Sequence, residues 1–282
     1  MKKNAKAYLE ITNLCNLSCS FCHGTRRAPR TMTEEEFLFL TERLRGRIKY
    51  LYFHLLGEPL IHPLLPRFIA HARAAGFTPM LTTNGTLLRA RREELLASLP
   101  EKISISLHAP AANAAFADAG YLDDCLAFAK EAAARGCTVA LRLWNLGGEG
   151  ARENDAILAR IRAAFPAPWT AVRGGAGERL SSRVFLEWGE EFDWPDLAAP
   201  RAEGPFFCYG LRDQIGVLAD GTVVPCCLDA EGTVALGNLH FSSLDEILSG
   251  ERARAIYDGF SRREATEELC RRCGYARRFC KL

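Results

Sequence analysis

Ala7-Tyr8-Leu9-Glu10-Ile11-Thr12-Asn13-Leu14-Cys15-Asn16-Leu17-Ser18-Cys19-Ser20-Phe21-Cys22 begins as a short strand, Ala7 to Thr12, and runs directly into three cysteines spaced C-x3-C-x2-C. Three thiolates so close in sequence can turn toward one point only from a tight loop. Three is also one short of the four that usually hold an iron–sulfur cube. A cube held by three keeps one iron open to something that is not protein, which makes a reaction centre rather than a sealed electron carrier. A zinc knuckle is the competing reading of the triplet alone.

Outward from this loop, strand-like and helix-like segments alternate. Thr33 to Arg45 reads as a helix with a capping box, Thr33 with Glu36. Ile48 to Leu56 is a strand, His62 to Ala75 a helix closed by Gly76, and Phe77 to Thr83 a strand. Leu87 to Leu99 is a helix and Ile103 to His108 a strand. Tyr121 to Arg135 is a helix stopped by Gly136, Cys137 to Trp144 a strand, and Ala151 to Phe165 a helix. Arg183 to Glu187 makes a sixth strand. Such a run of βα units with short connections predicts an α/β fold with parallel strands covered by helices. Six units are too few for a full eight-stranded barrel, so a partial (β/α)6 TIM-like barrel is expected. Regular structure breaks between Gly189 and Pro205. A hairpin follows, Gln214 to Leu218 and Thr222 to Pro225, around Asp220-Gly221. These breaks divide the chain into 1–200 and a small domain 201–282.

Hydrophobic residues make up 48% of the chain, charged residues 25%, and the net charge is +2. That balance gives no push toward nucleic acid or a membrane surface. No apolar run approaches a membrane span, and the N-terminus lacks the apolar region of a signal peptide. A cytoplasmic protein is expected, where thiols stay reduced and eleven cysteines ask for metal rather than disulfides.

The triplet resembles the signature of the radical S-adenosylmethionine (SAM) superfamily, and the strand ends carry the rest of the likeness. The resemblance implies that the open iron chelates SAM. Phe21 matches the aromatic position near the adenine. Gly57-Glu58-Pro59, after the second strand, resembles the family's GEP motif, whose backbone and carboxylate hold the SAM ammonium. Thr82-Thr83-Asn84-Gly85, after the third, is similar to its TNG turn, with Asn84 as a polar contact. Ser106 aligns with a serine that contacts ribose or carboxylate, although His108-Ala109 stands where many relatives have Asp-Gly. That departure puts His108 at the barrel mouth, where the residue is either structural or in touch with substrate or SAM. Arg142 and Trp144 share one face of the fifth strand. If it is the inner face, Arg142 pairs with the SAM carboxylate or the substrate.

Six further cysteines, Cys208, Cys226, Cys227, Cys270, Cys273 and Cys280, lie near the C-terminus. Cys270-x2-Cys273 is a metal-binding spacing. Cys208 with Gly221-x4-Cys226 resembles the opening of the SPASM/twitch domain, which carries auxiliary clusters. Two fully ligated cubes need about eight thiolates, so one auxiliary 4Fe-4S cluster is expected, held by Cys208, Cys226, Cys270 and Cys273. Cys227 or Cys280 could replace one of the four, and zinc is the other occupant such a set would take. Cys125 and Cys137 read as small core hydrophobes.

A cluster with four protein ligands more plausibly carries an electron than binds substrate. The resemblance thus implies a radical SAM oxidoreductase: SAM is cleaved to a deoxyadenosyl radical, which abstracts a hydrogen atom, and an electron passes to the auxiliary cluster. One alternative is a peptide maturase that cross-links or epimerises a ribosomal peptide. Outside enzymes the alternative is a zinc- or cluster-binding interaction protein. The expected partners are SAM, a small-molecule or peptide substrate, and an electron donor such as flavodoxin or ferredoxin. With the first strand starting close to Met1, no N-terminal peptide-binding domain is expected, which leans toward a small or short substrate.

Overall fold

The computed structural model describes residues 5–113, 116, 119–172 and 177–279. Six parallel strands form its centre: β1 (Ala5–Leu9), β2 (Ile48–Tyr52), β3 (Thr78–Thr83), β4 (Lys102–Ser106), β5 (Thr138–Leu146) and β8 (Val184–Glu190). They lie side by side in chain order, with α1 (Glu34–Leu44), α2 (Leu65–Ala74), α3 (Leu88–Ala97), α4 (Tyr121–Ala134) and α5 (Asn154–Ala164) in the crossovers. The Thr33 capping box closes as the sequence predicts, with both reciprocal bonds present. Strand ends shift by a few residues from the expected bounds because Gly and capping signals mark helices more sharply than strands.

Strand alternation divides the sheet into two faces. Leu9, Leu51, Leu81, Ile103, Leu141 and Leu186 are buried on the helix side. Beneath α1 and α2 the rings of Phe37 and Phe68 stack with centroids 4.0 Å apart. Residues of the opposite parity, including Tyr8, Tyr52, Thr82, Ser106, Arg142 and Glu187, are only half-buried. They line the inner face of the partial barrel, and most are polar.

The sheet is larger than six strands. Beyond β8 it continues into β7 (Gly177–Arg179) and β6 (Thr170–Ala171), both antiparallel additions that the sequence pattern did not predict. At the other edge the expected hairpin forms from β9 (Gln214–Val217) and β10 (Thr222–Val224), followed by β11 (Gly237–Asn238). β9 pairs in parallel with β1, from Lys6↔Gln214 to Leu9↔Val217. The C-terminal segment therefore extends the barrel sheet and covers its first edge. Helices α6 (Leu244–Ser249), α7 (Glu251–Ser261) and α8 (Glu268–Arg271) complete the chain.

A buried ion pair ties these parts together. Glu10, fully buried, accepts from both terminal guanidinium nitrogens of Arg27 at 2.6 and 2.8 Å and from the backbone N–H of Ala219 at 3.0 Å. Arg27 also donates to the Ala230 carbonyl at 2.8 Å. One carboxylate thus joins β1, the cysteine loop and the C-terminal segment, with its charge matched and its acceptors used.

Candidate active site

The loop after β1 is fixed at its stem. Asn13 donates to the Ala28 carbonyl at 2.9 Å and accepts from Arg30 N–H at 2.7 Å, and Thr12 bonds the Arg30 carbonyl at 3.1 Å. Cys15, Cys19 and Cys22 stand on the loop above this clamp, partly exposed at the barrel mouth. The loop also leans on the end of β4: Ser20 N–H donates to the Ala112 carbonyl at 2.9 Å, and the Cys19 thiol lies 3.4 Å from the Ala109 carbonyl. Phe21 packs against His108, ring centroids 5.1 Å apart. His108 is buried and accepts the Trp144 N–H at 3.3 Å, and burial lowers its pKa to about 4.

Gly57 lets the end of β2 meet this loop backbone to backbone. Its φ is +75°, and an added Cβ would come within 2.3 Å of the Thr12 carbonyl oxygen. Only glycine fits both conditions. Pro59 then opens a single 3-10 turn, Pro59–Ile61.

Glu58 is 2% exposed. Its carboxylate accepts from Leu60 N–H at 2.9 Å, the Thr83 hydroxyl at 2.7 Å and Asn84 N–H at 2.7 Å. Burial pushes its pKa up to about 7. Most of the acceptor capacity of this carboxylate is spent on joining the ends of β2 and β3. Asn84 in turn donates to Asn16 at 3.0 Å, and its amide nitrogen lies 3.9 Å from the Cys15 sulfur. The Tyr121 hydroxyl supports the turn by donating to the Asn84 carbonyl at 2.7 Å. The structure thus gathers Cys15, Cys19, Cys22, Phe21, Gly57, Glu58, Pro59 and Asn84 around one mouth. Ser106 and Arg142 stand beside each other in register on β4 and β5, on the inner face below it.

The inner face holds further groups, of which sequence reasoning had placed only Trp144, beside Arg142. Tyr8 and Tyr52 stack at 4.7 Å, and His54 meets both rings edge-on at 5.4 and 5.7 Å. Among the described residues, His54 Nδ1, Thr82 Oγ1 and Trp144 Nε1 are buried without a hydrogen-bond partner. Buried polar atoms left unpaired are those that a bound molecule's polar groups would satisfy. Period-two alternation from Tyr8, Tyr52 and Arg142 was the signal that could have found these positions.

Burial, reinforced by the Arg142 charge, lowers the His54 pKa to about 3. The folded state therefore holds fewer protons than the unfolded chain below pH 6.5, so stability is lost as pH falls from 6.5 toward 3. Replacing His54 with Phe keeps the ring contacts and removes this titration. Thermal unfolding against pH should then show an acid limb shallower by about 1.4 kcal/mol per pH unit; an unchanged limb would show that His54 does not carry it.

The second thiol set lies in the C-terminal segment. Cys208, Cys226, Cys270 and Cys273 line one cavity with Pro225 and Ala276. Cys227 packs against an apolar cluster that includes Leu55, Leu218, Val224 and Trp194. Cys280 lies outside the described residues. Cys125 and Cys137 are buried in the core, 0% and 2% exposed.

Both donor sets have the chemistry of iron–sulfur ligands, although among the described residues no three such groups stand close enough together to hold a single metal ion. Burial, and then neighbouring thiols, push Cys19 up to about 12, Cys226 well above the ordinary thiol value, and Cys270 likewise. Thiols pressed together this way become thiolates only beside a strongly cationic core. The first set offers three thiols at the barrel mouth, and the second offers four that line one small, half-open cavity.

The sequence model of the radical SAM superfamily matches residues 9–185, more than half of the chain. The chain belongs to the radical SAM superfamily. A second model, for the SPASM iron–sulfur cluster-binding domain, matches residues 208–274. This radical SAM protein therefore carries a SAM-binding 4Fe-4S cluster and an auxiliary iron–sulfur site.

Among curated proteins, it is 34% identical over 99 residues to a tungsten-containing aldehyde ferredoxin oxidoreductase cofactor-modifying protein of Pyrococcus furiosus, covering 33% of this chain and 27% of that one. It is 31% identical over 101 residues to a probable GTP 3',8-cyclase of Pyrobaculum aerophilum, covering 35% and 33%. It is 33% identical over 93 residues to a PqqA peptide cyclase of Streptomyces rochei, covering 32% and 25%. The matches span a third or less of these relatives.

Of solved structures, BtrN in complex with AdoMet and 2-DOIA superposes with a TM-score of 0.61 at 17% identity, over 96% of this chain and 93% of that one. Streptococcus suis SuiB bound to its precursor peptide SuiA superposes with a TM-score of 0.56 at 13% identity, over 96% and 70%. At these identities the likeness is one of fold. Among the described residues no helix is long and apolar enough to cross a membrane.

Proposed function

We propose that this radical SAM enzyme is a cytoplasmic oxidoreductase acting on a substrate held within the barrel. The observation that carries the reading is the contrast between the two thiol sets: three on a loop at the barrel mouth, two of them exposed, and four lining one small, less exposed cavity. Once bound, the first cluster and SAM supply a hydrogen-abstracting deoxyadenosyl radical, and the auxiliary cluster supplies an acceptor for the electron released by substrate oxidation.

The chain's own residues bind and orient. Phe21 flanks the adenine. Gly57 and Pro59 shape the backbone that receives the SAM ammonium, while Glu58 mainly fixes that backbone to Asn84. Ser106 and Arg142 take the carboxylate end. Tyr8, Tyr52, His54, Thr82 and Trp144 form the wall against which substrate lies, with unpaired polar atoms ready for its hydrogen bonds. A flavodoxin or ferredoxin supplies the reducing electron.

A second reading, a peptide maturase, draws support from the PqqA peptide cyclase match and from the peptide bound to SuiB. The shared test is anaerobic reconstitution with SAM and a chemical reductant. Formation of 5'-deoxyadenosine and methionine in equal amounts is expected. Zinc in place of iron, or no deoxyadenosine, would overturn both readings.

A further inference from the structure

Arg142 is held more tightly than a ligand-binding arginine needs to be unless its direction matters. Glu187 lies beside it in register on β8. The Glu187 carboxylate is divided between two cations: one oxygen takes Lys102 Nζ at 2.6 Å and the other takes Arg142 Nε at 3.2 Å. Burial alone would raise its pKa, but Arg142 and Lys102 outweigh that and hold it low, so the carboxylate stays charged. The Arg142 guanidinium lies over the Trp144 ring, 4.5 Å from the centroid. Trp144 itself packs flat on the backbone of Gly189, where an added Cβ would meet the ring at 2.8 Å.

The guanidinium is thus fixed at one edge by Glu187 and on one face by Trp144. Nε is committed to the protein. The two terminal nitrogens remain as a planar fork on the inner face, the geometry that matches a carboxylate in bidentate fashion. Without Glu187, Lys102 and Arg142 would face each other as unscreened like charges, and the fork would swing away.

We propose that Glu187 is a positioning residue: by holding Arg142 through Nε, it aims the guanidinium fork at the carboxylate of bound SAM. The proposal rests on the reading that Arg142 receives that carboxylate, and the experiment separates the two. SAM affinity is measured by equilibrium dialysis on reconstituted protein without reductant, so no turnover occurs, with iron content and unfolding temperature checked for each variant.

Arg142→Leu should weaken SAM binding by roughly ten- to a hundredfold, the worth of a charge-assisted bidentate pair. Glu187→Gln should weaken it by roughly five- to tenfold, since the fork remains but loses its aim. Adding Glu187→Gln to Arg142→Leu should cost nothing more, because Glu187 acts only through Arg142. Glu187→Asp, which keeps the charge with a shorter reach, should fall between wild type and Glu187→Gln, and it serves if Glu187→Gln folds poorly. Unchanged affinity in Arg142→Leu would overturn the role of Arg142 itself. A weakened Arg142→Leu beside an unaffected Glu187→Gln would overturn the positioning role alone, as would a further loss in the double variant.

Discussion

Replacing Cys15, Cys19 and Cys22 together with alanine should halve the iron of the reconstituted protein, from about eight atoms per chain to about four. SAM cleavage should vanish with it. The thiols stand on a loop that is clamped below them by Thr12 and Asn13. Their removal therefore leaves β1, the loop stem and the C-terminal cavity in place, and the unfolding temperature of the iron-free protein should hardly move. Iron analysis and a deoxyadenosine assay on the same preparation check this. Eight irons retained in the triple variant would mean that the first cluster is held elsewhere. Fewer than four would mean that the two sites do not assemble independently.

The second large effect concerns the four-cysteine cavity. Cys270→Ala with Cys273→Ala should abolish product formation while leaving SAM cleavage intact. Both residues line the cavity with Cys208 and Cys226, and neither lies on the loop after β1. The expected signature is uncoupling: deoxyadenosine accumulates, but substrate is not oxidised. Full product formation in this variant would refute an electron-accepting role for the second site. Loss of both activities would instead show that the cavity supports the fold of the barrel mouth. That distinction matters because β9 and β10, which lead to Cys226, are hydrogen-bonded into the same sheet as β1.

The order of the six βα units could be read directly from the chain, because helix caps and glycine stops punctuate it and parallel strands follow in sequence. Lateral joins were less legible. Nothing in Gln214–Val217 says that it will lie against Ala5–Leu9, since backbone hydrogen bonds between distant segments leave no side-chain signature. The short strands β6 and β7 escaped for the same reason, being only two and three residues long.

At the site, Cys15, Cys19, Cys22, Gly57 and Asn84 could be named from their motifs. The use made of Glu58 could not. A motif gives a residue's identity but not where its oxygens point, and here they point into the protein. Glu187 was invisible because its partners Lys102 and Arg142 lie on other strands, 85 and 45 residues away. A long-range ion pair announces itself only once the strands are aligned.

The parallel pairing of β9 with β1 has a mechanical consequence. Neighbouring strands sit about 4.8 Å apart and cannot slide without breaking their ladder. Cys15 follows β1 and Cys226 follows β10, so these two thiols hang from one continuous ladder of strands. The distance between their backbones is then set by the sheet, like the spacing between two studs on one plate.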